Sequence, residues 1–263
     1  MTSLDPMFRS VLDAYCAAVN ARDEAALRSL LAEEPHYFGS FGAVALTGRD
    51  PLVGLLRAVG GRFPDYRQTP GPTYGIGPEV AMIGVLSADG FDVPACWTFR
   101  VDADGRLARV ATLFDPDPFL RHRIGAGPEG PEVEAPAQSG GRERQVLDAY
   151  FETFNAGDEE AHLRLFHPEA AFHGSMTRLD TTGLATIRGV HRAAKETMKV
   201  KRLDPRMTYG RRTELAARVA FSPEGHEGQP LEGVWALRMD AAGLIDRISI
   251  LWNPSSLARP ARG

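Results

Sequence analysis

Apolar positions recur at helical spacing twice in this chain, at matched places. Val11, Leu12, Tyr15 and Val19 fall on one helix face with Ala14 and Ala18 between them, and Val146, Leu147, Tyr150, Phe151 and Phe154 repeat the pattern further on. Each run stops at Asn-Ala-Arg-Asp (20–23) or Asn-Ala-Gly-Asp (155–158), where the Asp can cap a second, short helix, Glu24 to Leu31 and Glu159 to Phe166. A strand is predicted next, near Tyr37 to Phe41 and Ala171 to Ser175, and then a third helix near Pro51 to Val59 and Thr186 to Met198. The remainder of each half is apolar-rich runs: Val80–Ser87, Ala95–Val101 and Leu107–Phe114, then Leu215–Phe221, Gly233–Met239 and Leu244–Trp252. Asp-Gly pairs (89–90 and 104–105) separate the three runs of the first half, which is the signature of hairpins.

The halves are copies of one unit. Val11-Leu12-Asp13-Ala14-Tyr15 recurs letter for letter as Val146-Leu147-Asp148-Ala149-Tyr150, and Asn20/Asn155, Asp23/Asp158 and Tyr74-Gly75/Tyr209-Gly210 keep the same spacing. After a short insertion Trp97 meets Trp235, Arg100 meets Arg238 and Arg109 meets Arg247. Ordered matches of this kind mark a duplicated structural unit. The expected organisation is therefore one repeat over 1–124, a Gly/Pro-rich linker over 125–141 and a second repeat over 142–263, each α+β: about three N-terminal helices packed in a curved antiparallel sheet. Such a sheet makes a cone, and a cone has an interior.

The unit resembles the nuclear-transport-factor-2-like superfamily and, within it, the SnoaL-like proteins. The matching stretches are Leu-Asp-Ala-Tyr with Asn-Ala-Gly-Asp, Leu-Phe-His-Pro-Glu-Ala (165–170), Arg-Phe-Pro-Asp-Tyr-Arg (62–67) and Asp-Ala-Asp-Gly-Arg-Leu-Ala-Arg-Val (102–110). The resemblance covers about 8–120 and about 143–257. It implies the cone fold, and it leaves the chemistry open, because isomerases, cyclases, dehydratases, epoxide hydrolases and proteins without a reaction share the fold. Relatives also pair through an open sheet face, so the two repeats are expected to pack as an internal pseudo-dimer.

Composition narrows the classes. With 43% hydrophobic residues and a formal charge of -4, the chain can build cores and does not look like a nucleic-acid binder. A leader pattern and a membrane-length apolar run are absent from the sequence, so a cytoplasmic location with no membrane partner is expected. Cys16 and Cys96 read as buried and reduced. The sequence carries none of the motifs CxxC, HExxH, GxxxxGK or GxSxG, so the expectation is no metal and no cofactor.

Candidate chemistry follows from strand parity. Ala171, His173 and Ser175 share a face, as do His36, Phe38 and Ser40 in the first repeat. If that face looks into the cone, His173 or His36 can act as a general base near neutral pH. Glu232 shares a strand face with Val234 and Ala236, where an apolar setting would raise its pKa and make it a proton donor. Asp65 reads mainly as a tie to backbone N–H groups at a helix-to-strand junction. By resemblance, Asp115 lies where SnoaL-like cyclases keep a late acid, although their Gly-Thr-His element is missing here. Glu196, with Glu169, echoes the carboxylate pair of polyether epoxide hydrolases, and its spacing from Arg192 and Lys199 also suits surface ion pairs. Trp97, Trp235, Trp252, Phe38, Tyr209 and Ser175 are candidates for substrate contact. Nine cations between 188 and 212, including all three lysines of the chain, could meet a carboxylate or a carrier-bound substrate. The expected function is a cofactor-independent cyclase or isomerase working by general acid/base catalysis on a polyketide-like or polycyclic small molecule of secondary metabolism. The alternatives are an epoxide hydrolase of the polyether type and a non-catalytic small-molecule binder.

Overall fold

The computed structural model describes residues 6–39, 44–75, 77–115, 141–174, 179–211, 213–225 and 230–252. The first repeat runs α1 (Pro6–Ala21), α2 (Glu24–Leu30), β1 (Leu31–Gly39), β2 (Val44–Thr47), α3 (Arg49–Arg62), β3 (Arg67–Tyr74), β4 (Glu79–Ala88), β5 (Phe91–Val101) and β6 (Leu107–Phe114). The second repeats the order with α4 (Arg142–Ala156), α5 (Glu159–Leu163), β7 (Phe166–Gly174), β8 (Leu179–Thr182), α6 (Leu184–Arg192), one π turn (Ala193–Thr197), β9 (Leu203–Arg211), β10 (Glu214–Phe221), β11 (Leu231–Met239) and β12 (Ile245–Trp252). Each repeat makes one six-stranded sheet, ordered β2-β1-β6-β5-β4-β3 and β8-β7-β12-β11-β10-β9. Only β1–β6 and β7–β12 pair in parallel. The chain is thus α+β, two cones in tandem. The linker expected over 125–141 lies outside the described residues except for Gly141.

Two elements per repeat escape the hydrophobic pattern. β3 contains Pro70, Gly71 and Pro72, and it holds because it is the sheet's last strand, where proline leaves no ladder bond unmet. It lies so close to β4 that a Cβ on Gly84 would sit 2.2 Å from the Thr69 carbonyl oxygen. The first strands also begin earlier than expected, at Leu31 and Phe166, because each pairs its first residue with the last strand before a bulge.

The shared letters have matching jobs. Asp23 and Asp158 cap their short helices by accepting from Ala26 N and Ala161 N, both at 2.9 Å. Asn20 clamps the start of β3 through Gln68 N and O (2.7 and 2.8 Å), and Asn155 clamps β9 through Leu203 N and O (2.7 and 2.9 Å). Arg57–Glu24 and Arg192–Glu159 are equivalent bidentate pairs that tie the second helix to the third.

Helices and the inner sheet face enclose one core in each repeat. The outer faces pack against each other. Phe38, Tyr74, Ala81, Cys96, Ala111 and Leu113 of the first repeat meet Tyr209, Ala216, Val234 and Leu251 of the second. Ion pairs cross this interface reciprocally: Arg109 bonds Glu214, and at the matched positions Arg247 bonds Glu79. Glu79 also accepts from Ser249 Oγ at 2.5 Å and from Arg100 at 3.2 Å. Residues that exchange contacts in this way are the mark of a two-fold interface, here formed within one chain.

Candidate functional site

The second cone is hollow. A cavity of about 220 Å³ lies between α4, α5, α6, the π turn and the inner sheet face. Its walls are aromatic and aliphatic. Phe221 stands edge-on to both Trp235 (5.5 Å between centroids) and Trp252 (5.2 Å), and Ile187, Met198, Ile248 and Ile250 complete the greasy surface. Among the described residues, none that lines it is an Asp or a Glu.

The ionisable groups on this wall are two imidazoles and the Tyr150 phenol. His162 comes from α5 and His191 from the end of α6, with ring centroids 4.9 Å apart. Both are buried, at 2% and 5% exposure. Thr153 Oγ1 donates its proton to the Ala149 carbonyl (2.7 Å), so at 3.0 Å it accepts from His162 Nδ1–H. This assigns the tautomer and leaves His162 Nε2 with a lone pair. His191 Nε2 is buried without a hydrogen-bond partner. Burial, with the neighbouring His191, pushes His162 down to about 3, and burial lowers His191 as well. At neutral pH both rings are therefore uncharged. Lys195, on the π turn, holds Nζ 4.3 Å over the ring of Phe154, which also packs edge-on to both imidazoles. The Tyr150 hydroxyl lies on the wall too, its pKa raised by burial and eased back by the Trp235 indole. That indole N–H has no partner in ordinary hydrogen-bond geometry.

The first cone is filled. A cavity in it of about 70 Å³ is lined by Tyr37, Tyr66, Thr112 and apolar neighbours. Gln68 Nε2 donates to the Tyr66 hydroxyl (3.0 Å), and Tyr15 packs edge-on to Phe99 (5.4 Å). Where the second repeat has His162 and His191, the first has Leu27 and Leu56; where it has Phe172 and Ile250, the first has Tyr37 and Thr112.

The SnoaL-like domain model matches residues 12–110 and again 147–248. The chain belongs to the SnoaL-like family, in tandem. No protein of curated function matches it. Among solved structures it is similar to an NTF2-like protein of unknown function from Cytophaga hutchinsonii (16% identity, 45% of this chain and 97% of that one, TM-score 0.38). It is also similar to an NTF2-like protein of unknown function from Burkholderia pseudomallei (16%, 44% and 97%, 0.41). A third is a hypothetical protein with a ketosteroid-isomerase-like fold from Catenulispora acidiphila, solved with trimethylamine (20%, 40% and 85%, 0.37).

Within this SnoaL-like tandem the residues expected to carry chemistry are dispersed. Phe172 and Gly174 line the cavity, so the alternate residue His173 faces the outer side of β7 and is buried there, at the position matching Phe38. Glu232 also lies on the outer face, half-exposed and bonded to Arg218 at 2.6 Å. His36 is exposed and shares a hydrogen bond with Thr47 Oγ1 at 3.1 Å. Asp65 accepts from Asp89 N and Gly90 N, both at 2.8 Å, closing the β4–β5 turn; those two bonds hold its carboxyl below the usual range. Asp115 follows β6, and Glu196 is exposed on the π turn; neither is among the residues lining the two cone cavities. Phe38 and Tyr209 belong to the inter-repeat interface, Trp97 to the filled core of the first cone, and Trp235 and Trp252 to the wall of the second cavity. Ser175 lies outside the described residues.

The imidazole pair was missed. A signal for it was present, since aligning the repeats puts histidine opposite leucine at two helical core positions. Among the described residues no group of three His, Cys, Asp or Glu is placed to hold a metal ion, so the pair stands without a third ligand. Among the same residues no helix is long and apolar enough to cross a membrane.

Proposed function

We propose that the second repeat takes one largely apolar, ring-bearing small molecule into its cone and moves a proton on it, as a cofactor-independent isomerase or cyclase. The observation that carries this reading is the pair of neutral imidazoles on the wall of a 220 Å³ cavity, at positions that are leucine in the filled repeat. His191 is the base: its Nε2 has no other partner, and low polarity around it keeps the ring uncharged. Removing a proton next to a carbonyl places negative charge on the carbonyl oxygen. The Trp235 N–H and Tyr150 O–H are the donors on the same wall that can meet it. His162, held in one tautomer by Thr153, stays uncharged and packs against the ring of His191. Tyr150 and Trp235 have counterparts in Tyr15 and Trp97, so they mark the shared skeleton and the histidines mark the difference.

The test is deuterium exchange. Polycyclic ketones are incubated with the protein in D2O and label next to the carbonyl is read by mass spectrometry. Exchange is expected, and His191→Leu is expected to lower it by about 100-fold or more, with ligand binding kept. Unchanged exchange in that variant would remove His191 from the reaction. A second reading is a receptor without a reaction, favoured by the absence of any carboxylate among the cavity's lining residues. Binding without exchange for every ketone would establish it.

A further inference from the structure

We infer that the ligand of the second cone carries an anionic group, a carboxylate or a phosphate ester, held in a basic groove outside the cavity wall. This rests on the cone being the binding site, and it adds the class of ligand.

Among the described residues a groove of about 350 Å³ is lined by Lys199, Lys201, Arg202 and Arg206, with Asp204 as the one acid among them. Phe221 lines both this groove and the cavity, so one side chain separates them. The segment between the π turn and β9 makes the partition. Met198, Val200 and Leu203 line the cavity, whereas Lys199, Lys201, Arg202 and Asp204 line the groove. Apolar and cationic positions are thus sorted to the two sides of one stretch of chain. Lys199 holds a left-handed backbone (φ 52°), a conformation that a side chain adopts only under constraint.

Two of the four cations are already committed, Lys199 to Glu224 at 2.7 Å and Arg206 to Asp204 at 2.9 Å. Lys201 and Arg202 have no carboxylate within salt-bridge distance among the described residues, and both are exposed. They are the pair left to receive an anion, which suits one carboxylate or phosphate. The first repeat argues the same way. Its matched residues are Pro64, Tyr66, Arg67 and Gly71, only one of them a cation, and its cone is filled. Charge and cavity occur in the same repeat. A basic rim serving only solubility has no reason to track a hollow interior.

A neutral fluorescent probe in the cone, N-phenyl-1-naphthylamine, separates the two claims. It is displaced by 1-decanol, decanoate and monodecyl phosphate, which share a tail and differ in charge. Each anion is expected to act at about tenfold lower concentration than the alcohol, from two partly exposed charge contacts, with the gap narrowing as salt rises. Lys201→Ala with Arg202→Ala is expected to bring both anions to the level of decanol. Arg67→Ala, at the equivalent place in the first repeat, is expected to change nothing. The more potent anion of the two identifies the group as carboxylate or phosphate. Equal potency of all three competitors, or an anion preference that survives the double substitution, would overturn the inference and leave the cone reading standing. A probe that fails to bind would overturn both.

Discussion

The two cones share a skeleton and differ in filling. In the first, Trp97 is fully buried and the inner face carries Tyr37, Tyr66 and Thr112, leaving about 70 Å³. In the second, the matched Trp235 borders an apolar cavity of about 220 Å³. An empty apolar cavity forfeits dispersion contacts, and a buried imidazole without a partner costs about 1–3 kcal/mol. A repeat that keeps both features gives up stability that its copy retains, and the copy supplies a packed platform for it. Duplication thus separates holding the fold from holding a ligand. The comparison predicts unequal responses to one change. Trp97→Ala should cost about 3–5 kcal/mol, the range for emptying a packed aromatic site. Trp235→Ala should cost roughly half of that, because one side of its ring borders the cavity and not packed protein. Urea unfolding of the two variants checks it; equal losses would mean that the second cavity closes in solution.

The interface offers a smaller contrast. Glu79 and Glu214 are matched, both largely buried, yet Glu79 collects Arg247, Arg100 and Ser249, whereas Arg109, the partner of Glu214, also bonds Thr98 Oγ1 at 3.2 Å. Glu79→Ala strands Arg247 in the interface and should cost about 3 kcal/mol. Glu214→Ala leaves Arg109 its threonine and should cost about half as much. Thermal unfolding monitored by circular dichroism measures both, and equal losses would show that the reciprocal pairs are energetically symmetric despite their unequal partners.

The architecture is readable because the helix period, the Asp caps and the apolar strand runs of the first repeat recur in the second at matched spacing. The site was harder to read for a physical reason. Alternation along a strand identifies two faces but not which one is inside when both are covered. Here helices bury one face and the other repeat's sheet buries the other, so His173, Phe38 and Tyr209 sit at sheltered positions that parity cannot assign. The small residues Ala81, Ala111, Ala216 and Ala236 on the outer face were a clue, since sheets that pack closely use small side chains. The histidines sat on helices, in turns of sequence read only for their apolar period. Their meaning came from comparison with Leu27 and Leu56, not from any motif.

The imidazoles also make the second repeat sensitive to acid in a way the first is not. His162 binds its proton with a pKa of about 3 when folded and near 6.5 when unfolded, and burial lowers His191 in the same direction. Between those values the unfolded chain holds more protons than the folded one, so stability rises with pH. The contribution is complete above about 6.5 and is lost as pH falls toward 3. The paired carboxylates Glu24 and Glu159 have lowered pKa values and begin to protonate only further down, so the interval from about 6.5 to 5 isolates histidine. One deeply buried imidazole should account for about 1–2 kcal/mol across that interval. His162→Leu, which installs the residue of the first repeat, should flatten the slope there and leave the steeper loss below pH 4.5 in place. Unfolding free energies at half-unit steps of pH measure it. A slope that survives the substitution would assign the sensitivity to another group and weaken the case that the second cone keeps its histidines neutral for use as bases.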